Sequence, residues 1–244
     1  MAGIMTTIAA NLQAIRDRIA RACAMCARNP DSVALLAVSK TFGADAVLNA
    51  AQAGQRLFGE NYIQEAVRKM ADVALQHPPR LAWHCIGPIQ SNKTQLVAEH
   101  FDWAHTLDRA KIARRLNDQR PPHLPPLQVC IQVNVDGGAT KSGLPVPEAV
   151  ALAREVAQLP RLQLRGAMSI PDPLPDFDAQ LAIHQRARAA FDAIAAALPA
   201  SHTGFDTLSL GMTADLEAAI CAGSTLVRVG SGIFGARHYP PPAG

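Results

Sequence analysis

Short apolar runs alternate with amphipathic segments along almost the whole chain, and this alternation limits the possible folds more than any other feature. Each apolar run has the length of a strand, and the segments between the runs show the period of a helix. Strict alternation of strands and helices is typical of a parallel sheet with crossover helices. We expect strands at residues 33–38, 57–60, 81–86, 103–105, 127–133, 162–168, 207–210 and 225–229.

Eight strands with their helices fit a single (β/α)8 barrel, a TIM barrel of the α/β class, over residues 1–244. An additional N-terminal helix is predicted at residues 6–28, where apolar residues recur at spacings of three and four. A doubly wound sheet fits less well, since no G-x-G-x-x-G motif follows the first strand. We expect further helices at residues 44–52, 63–75, 93–99, 109–118, 147–159 and 214–222, and a long one that ends near residue 198.

Composition excludes several classes of protein. A hydrophobic fraction of 49% and a charged fraction of 18% are those of a soluble globular protein. The net charge is only +3 and no block of Lys and Arg occurs, so we expect no nucleic-acid partner. The N-terminus lacks the pattern of a secretory signal, and no apolar run approaches the roughly 18 residues of a membrane span. These observations predict a cytoplasmic protein without membrane contact.

The cysteines and histidines give little support to a metal or redox site. Five cysteines, an odd number without a secretory signal, predict reduced thiols. Cys23 and Cys26 form a C-x-x-C motif, but the motif lies in a helical pattern and no second pair accompanies it, which favours helix packing over zinc or redox chemistry. The eight histidines show no metal-ligand spacing. We therefore expect no metal.

Lys40 closes the first predicted strand, and in a (β/α)8 barrel the active site lies at the carboxyl ends of the strands. Burial lowers the pKa of a lysine, and a neutral amine can attack a carbonyl carbon to form a Schiff base. The alternative is a lysine at a strand end that extends to solvent. Asn61 and Met168 also follow or close strands and are expected at the same end of the barrel.

Two glycine-containing turns follow the last two predicted strands. Thr213 and Ser231 supply hydroxyl groups there, and the loops after strands seven and eight of such barrels often bind a phosphate. The alternative is that Thr213 caps its helix and that the glycines only make tight turns. Arg228, within a β-branched run, needs either a carboxylate or a ligand acceptor such as a pyridine nitrogen. A lysine at the end of strand one, together with a phosphate site after strands seven and eight, suggests a phosphorylated aldehyde held as an imine, and pyridoxal 5'-phosphate (PLP) is the obvious candidate.

The chain also resembles the pyridoxal-phosphate homeostasis proteins, which share the barrel of alanine racemase. The matching stretches keep the order of that family and span nearly the whole chain. They are AVSKT at 37–41, FGENY at 58–62, HCIGPIQSNK at 84–93, KSG at 141–143, GAM at 166–168, SLGMTAD at 209–215 and VRVGSGIFG at 227–235.

The resemblance implies a role for each candidate site residue. Lys40 would form the Schiff base with PLP, Arg228 would face the pyridine nitrogen, and Asn61 and Met168 would line the ring. The residues around the phosphate would be Ser209, Thr213, Gly230 and Ser231. An arginine keeps the ring nitrogen unprotonated, which weakens PLP as an electron sink. No residue is assigned a catalytic role, and Lys141 is either an electrostatic lid residue or a solvated loop lysine.

Three functions are compatible with these residues. The first is a non-enzymatic protein, expected to be monomeric, that buffers PLP or delivers it to PLP-dependent apoenzymes. The second is an amino-acid racemase, which would need a second base; the chain is expected to lack the additional domain that supplies one, and Tyr62 and Tyr239 are its only tyrosines. The third is a Schiff-base aldolase acting on a sugar phosphate, with Glu60 or His84 as general acid or base.

Overall fold

The structure, a computed structural model, describes residues 2–138 and 142–235, with side chains from Thr7 onward. Within these ranges eight parallel strands form a closed barrel in chain order, and the last strand pairs with the first. This confirms the predicted (β/α)8 barrel. The strands are β1 (Ala34–Val38), β2 (Leu57–Glu60), β3 (Ala82–Cys85), β4 (Trp103–Leu107), β5 (Leu127–Gln132), β6 (Leu162–Met168), β7 (Thr207–Ser209) and β8 (Leu226–Val229).

Helices precede, separate and follow these strands, as predicted. They are α1 (Ala2–Met25), α2 (Ala44–Gln52), α3 (Ile63–Ala74), α4 (Thr94–His100), α5 (Ala110–Gln119), α6 (Val146–Val156), α7 (Phe177–Ala197), α8 (Leu216–Cys221) and α9 (Ser231–Phe234). The largest difference from prediction is in α1, which begins at Ala2 rather than at residue 6. It ends before the predicted residue 28 because Ala27 has a left-handed φ of 53°.

Two apolar layers hold the barrel together. The larger one lies between the strands and the helices, and it includes Phe58, Ile131 and Leu164. The smaller one fills part of the barrel interior with Leu36, Val38, Ile86 and Leu226. Gly59 makes room for it, since a Cβ atom there would lie only 3.1 Å from the side chains of Leu36 and Ile86. The interior also contains buried polar side chains, among them His84, His105 and Ser209.

The additional helix α1 packs against the last two helices of the barrel. Its apolar face, with Leu12 and Ile15, is buried. Polar residues of α1 make further contacts. Arg18 binds the carboxylate of Glu217 through Nε and Nη2 at 2.8 Å each, and Nη2 also donates to the Thr213 carbonyl at 3.0 Å. Asn11 donates to the Ile233 carbonyl at 2.9 Å. Helix α1 therefore supports both turns in which we expected phosphate-binding residues.

One cysteine pair corrects the prediction of five reduced thiols. Cys26 and Cys221 form a disulfide between the end of α1 and the end of α8, with 5.4 Å between their Cα atoms. The two are 195 positions apart in the chain, so only the packing of α1 on α8 brings them together. Cys23 is free and fully buried, which agrees with its expected role in helix packing.

Across residues 2–138 and 142–235, no helix combines the length and apolar character that crossing a membrane requires. The same part of the chain contains no group of three or more His, Cys, Asp or Glu side chains arranged to hold a metal ion.

Candidate functional site

A cavity of about 250 Å³ opens at the carboxyl ends of the strands. This is the end at which barrel enzymes and binding proteins of this architecture place their ligands. Six of the eight residues predicted for the site line it: Lys40, Asn61, Thr213, Arg228, Gly230 and Ser231. Residues from β1, β2, β7 and β8 therefore meet in one place, as the barrel geometry predicts.

The other two predicted residues, Met168 and Ser209, are not among the residues that line the cavity. Both are fully buried, and they are neighbours across the β6–β7 pair. Ser209 accepts a hydrogen bond from Arg228 at its Oγ, so it lies behind the cavity wall and supports a residue that forms the wall. Their direct contact with a ligand stays a prediction.

Several apolar residues that line the cavity were not predicted from the sequence. Phe42, Ile170 and Met212 line the cavity beside the polar residues. Ile170 and Met212 are 43% and 39% exposed, so they form part of its rim. Each follows a strand end, which was the available signal, but Met168 was the only apolar residue at a strand end that we predicted for the site.

Lys40 lies in a tight and strained turn directly after β1. The Phe42 N–H donates to the Ser39 carbonyl at 3.1 Å, which closes the turn around Lys40. Thr41 has a φ of 68°, in the left-handed region that β-branched residues avoid. Such a conformation costs about 1–2 kcal/mol and persists only where surrounding contacts hold it.

Those contacts come from Glu60, Glu65 and Lys69, which we call the charged clamp. Lys69 Nζ donates to the Ser39 carbonyl at 2.8 Å, to Glu60 Oε1 at 2.7 Å and to Glu65 Oε1 at 3.2 Å. Glu65 Oε1 also accepts the Thr41 N–H at 3.0 Å. The clamp therefore holds the backbone on both sides of Lys40.

Glu60 is the most deeply buried member of the clamp. Its Oε1 also accepts the Ser39 hydroxyl at 2.6 Å, and its residue surface is 0% exposed. Burial raises the pKa of Glu60, and the hydrogen bonds and charge of Lys69 only partly oppose that shift. Removing Lys69 would thus leave a buried carboxyl group without its counter-ion.

Arg228 lies on β8, the strand next to β1; it also lines the cavity and is 4% exposed. Its Nη1 donates to the Ser209 carbonyl and the Ser209 Oγ at 2.7 Å each, and its Nη2 donates to the Ser169 carbonyl at 2.9 Å. Burial lowers its pKa to about 10, so the guanidinium remains charged at neutral pH. Its hydrogen-bond acceptors in the described part of the chain are thus two carbonyls and a hydroxyl, and the predicted contact with a ligand acceptor stays a prediction.

The turn between β7 and α8 is held from outside the barrel. Asp215 accepts the Met212 N–H at 2.6 Å through Oδ1 and faces His184 Nε2 at 2.9 Å through Oδ2. Burial alone would raise the pKa of Asp215, but the hydrogen bonds from His184 and Met212 outweigh it and the pKa is lowered. An ionised Asp215 therefore keeps Met212 and Thr213 in place.

The two predicted phosphate turns pack closely on each other and on α1. A Cβ atom at Gly232 would lie 3.0 Å from Val229 and 3.1 Å from both Ile15 and Thr213. In the short helix α9 the N–H groups of Ile233 and Phe234 donate to the Gly230 carbonyl at 2.9 Å each, so the N–H groups of Ser231 and Gly232 are the ones left without a carbonyl partner in the helix. Together with the hydroxyls of Thr213 and Ser231, they are donors suited to an anion.

The donor set of the cavity fits a phosphorylated aromatic aldehyde. Its described lining residues include the cationic side chains Lys40 and Arg228 and the hydroxyls of Thr213 and Ser231, and they include no carboxylate. The Oδ1 atom of Asn61 is buried without a hydrogen-bond partner in the described part of the chain. An amide with unused capacity, next to apolar side chains, can contact a polar ring substituent.

The candidates for acid–base chemistry do not line this cavity. Glu60 is paired in the charged clamp, and His84 is buried in the barrel interior. Tyr62 is 55% exposed and lines a neighbouring depression that shares Asn61 with the cavity. Lys141 and Tyr239 lie outside the described residues.

Comparison with known proteins agrees with the motifs. The family model of the alanine racemase N-terminal domain matches residues 10–238. The pyridoxal phosphate homeostasis protein of Escherichia coli is 52% identical over 96% of this chain and 99% of its own length. PipY of Synechococcus elongatus, in its structure with PLP bound, is 33% identical with a TM-score of 0.79 and covers 93% of this chain and 100% of its own. Alanine racemase of Corynebacterium glutamicum is 14% identical with a TM-score of 0.70 over 96% of this chain and 61% of its own, which shows the shared fold.

Proposed function

The chain belongs to the pyridoxal phosphate homeostasis proteins, within the family of the alanine racemase N-terminal domain, and from that premise we propose that it binds PLP as a Schiff base on Lys40. Its role is then to buffer PLP or deliver it, without catalytic turnover. The observation that carries this proposal is one cavity in which Lys40, Arg228 and the hydroxyls of Thr213 and Ser231 converge.

Lys40 supplies the amine that holds the ligand. PLP supplies the aldehyde carbon, and a Schiff base to it is reversible, which suits storage and release. The charged clamp fixes the Ser39 carbonyl and the Thr41 N–H, so the side chain of Lys40 leaves the backbone in a defined direction. The clamp thereby reduces the conformational freedom that the amine loses on binding.

Thr213, Gly230 and Ser231 receive the phosphate in this proposal. Gly230 lets the ligand approach the backbone, and the two hydroxyls donate to phosphate oxygens. Ser209 acts from behind, through its hydrogen bond to Arg228. Support for these positions comes from the packing of α1, since Arg18 binds the Thr213 carbonyl.

Arg228 faces the ring nitrogen. Because its pKa is about 10, it stays charged and donates to that nitrogen rather than giving up a proton to it. An unprotonated ring withdraws electrons weakly, so carbanion chemistry at a bound amino acid is disfavoured. This is the physical reason for proposing a carrier instead of a racemase. Asn61 and Met168 complete the contacts to the ring, the latter from the layer below.

The cellular part of the proposal comprises PLP-dependent apoenzymes as recipients, a monomeric state and a cytoplasmic location. A delivery experiment tests whether PLP-dependent apoenzymes are the recipients. PLP-loaded protein is mixed with an excess of a PLP-dependent apoenzyme, and the recovery of that enzyme's activity is followed over time. We expect recovery at least as complete as with the same amount of free PLP. In parallel, loaded protein is incubated with L-alanine, and D-alanine above the level produced by free PLP would favour the racemase instead.

A further inference from the structure

A row of polar side chains crosses the barrel interior behind Arg228. Arg228 Nη1 donates to Ser209 Oγ at 2.7 Å, Ser209 Oγ lies 3.2 Å from His105 Nδ1, and His105 Nε2 lies 2.9 Å from His84 Nδ1. We call Ser209, His105 and His84 the histidine column. They are 0%, 0% and 1% exposed and are not among the residues that line the cavity. The column therefore lies beneath the ligand-contacting surface and reaches it only through Arg228.

Both imidazoles of the column are neutral at physiological pH. Burial lowers the pKa of His84 to about 3. Burial lowers the pKa of His105 well below its ordinary value, and the nearby His84 and Arg228 act in the same direction. A neutral imidazole carries one N–H donor and one acceptor nitrogen. The column is thus a row of dipoles and contains no second charge.

The guanidinium sets the direction in which these dipoles point. Arg228 only donates, and its charge is buried away from water. The arrangement that stabilises this charge has the Ser209 hydroxyl donating to His105 Nδ1, and His105 Nε2–H donating to His84 Nδ1. In each group of the column, the acceptor atom is then the one nearer to the guanidinium. The row ends at His84 Nε2, which is buried and has no partner among the described residues.

We propose that His105 and His84 are positioning residues, which orient the Ser209 hydroxyl and through it the Arg228 guanidinium toward the ring nitrogen of the ligand. This inference rests on the proposed function, since PLP supplies the ring. A simpler account is that the carbonyls of Ser209 and Ser169 are sufficient to hold Arg228. The column adds a restraint that the carbonyls cannot supply. Without His105, the Ser209 hydroxyl is free to rotate its hydrogen toward the guanidinium.

Two substitutions at His105 test the proposal in the full-length protein. His105→Leu keeps the volume but removes both ring nitrogens, and His105→Asn keeps an acceptor near Ser209 Oγ. Leu164→Val is the matched control, a buried change in a strand neighbouring neither β4 nor β8. The readouts are the PLP concentration for half-saturation and the pH at which the absorbance band of the bound cofactor is half-titrated.

We expect His105→Leu to weaken PLP binding about tenfold and to move the half-titration pH by at least half a unit. His105→Asn should recover part of both changes, and Leu164→Val should leave both as in the wild type. An unchanged affinity and an unchanged half-titration pH in folded His105→Leu would overturn the proposal. If wild-type protein itself takes up no PLP, the proposed function fails first, which separates the two claims.

The column can also be tested without any variant and without PLP. Nitrogen-15 chemical shifts of the histidine rings, measured in the wild-type apoprotein between pH 8 and pH 5, report tautomer and charge directly. We expect the rings of His84 and His105 to stay neutral over this range, with His105 Nδ1 as an acceptor. A His105 ring that becomes an imidazolium above pH 6, or one that carries its hydrogen on Nδ1, would overturn the proposal even if His105→Leu does not fold.

Discussion

Paired charges lie behind Lys40, in the charged clamp, whereas a row of neutral dipoles lies behind Arg228, in the histidine column. The clamp is outside the barrel, between β2 and α3, and its hydrogen bonds go to backbone atoms on either side of Lys40. The column is inside the barrel and its hydrogen bond goes to the Arg228 guanidinium itself by way of Ser209. The column is buried, and so are Glu60 and Lys69 of the clamp, whereas the Glu65 side chain is 41% exposed; only the clamp uses ions.

The difference agrees with what the proposed function requires of each supported group. In that proposal Lys40 reacts through its amine, and the clamp fixes its backbone with strong charges at the Ser39 carbonyl and the Thr41 N–H. In the same proposal Arg228 keeps its charge and donates to the ligand. A buried carboxylate beside it would bind the guanidinium bidentately and compete with the ligand. Neutral dipoles stabilise the charge and leave donors available.

The largest expected effect is on the clamp. Lys69→Met removes the counter-ion of the buried Glu60, and breaking a buried pair from one side costs about 3–5 kcal/mol. The free energy of unfolding, from urea denaturation, measures this loss. Adding Glu60→Gln to Lys69→Met should recover much of it, because no buried charge then remains. A loss below about 1 kcal/mol for Lys69→Met would contradict the clamp.

The second effect is a pH dependence that belongs to the column. The folded-state pKa of His84 is about 3, below its unfolded value of about 6.5. The unfolded chain therefore binds the proton first, and stability is lost as pH falls below 6.5. One such histidine contributes about 1.4 kcal/mol per pH unit. The difference in unfolding free energy between pH 7 and pH 5 should shrink by about 2 kcal/mol in His84→Gln, and equal slopes in both proteins would refute this.

A smaller effect is expected where α1 supports the phosphate turns. Arg18 and Glu217 are partly exposed, with side chains 27% and 36% accessible, so solvent screens their pair. We expect Arg18→Met to cost about 1 kcal/mol and to weaken PLP binding a few-fold, because the Thr213 carbonyl loses its donor. Arg16→Met is the control, since Arg16 lies on the same helix but donates to the Ala53 carbonyl, away from the cavity. Equal losses of PLP affinity in both variants would argue against a specific support.

The smallest effect concerns the strained turn. Thr41→Gly removes a Cβ from a residue with φ of 68°, and glycine adopts this conformation without steric cost. Relief of strain outweighs the added flexibility of the unfolded chain, so we expect the variant to be more stable by about 0.5–1 kcal/mol. Calorimetry measures the shift in melting temperature. A lower melting temperature would show that the clamp does not hold a strained turn.

The barrel and most of the cavity could be predicted from sequence because both follow from local rules. Hydrophobic periodicity located β1 to β8, and the rule that barrel sites lie at strand ends grouped Lys40, Asn61, Thr213, Arg228, Gly230 and Ser231. The family resemblance seen in the motifs is confirmed by the comparisons. These features need only the order of residues along the chain.

The clamp, the column and the disulfide depend on packing between elements that are distant or oriented by tertiary contacts. Lys69 occupies a helix position that reads as polar surface, and only the packing of α3 on β2 buries it to 5% exposure. His84 and His105 share the barrel interior, but their 2.9 Å contact depends on the strand register between β3 and β4. Cys26 and Cys221 meet only through α1 and α8.

The most direct test of the account is to locate the lysine that holds PLP. Three proteins are incubated with PLP and scanned by absorbance: wild type, Lys40→Ala and Lys93→Ala. Each is then reduced with borohydride and digested for peptide mass mapping. Lys93 serves as control because it lines the neighbouring depression. We expect a Schiff-base band in wild type and Lys93→Ala, none in Lys40→Ala, and a reduced adduct on the peptide containing Lys40. A colourless wild-type protein, or an adduct on other lysines with Lys40 unmodified, would contradict it.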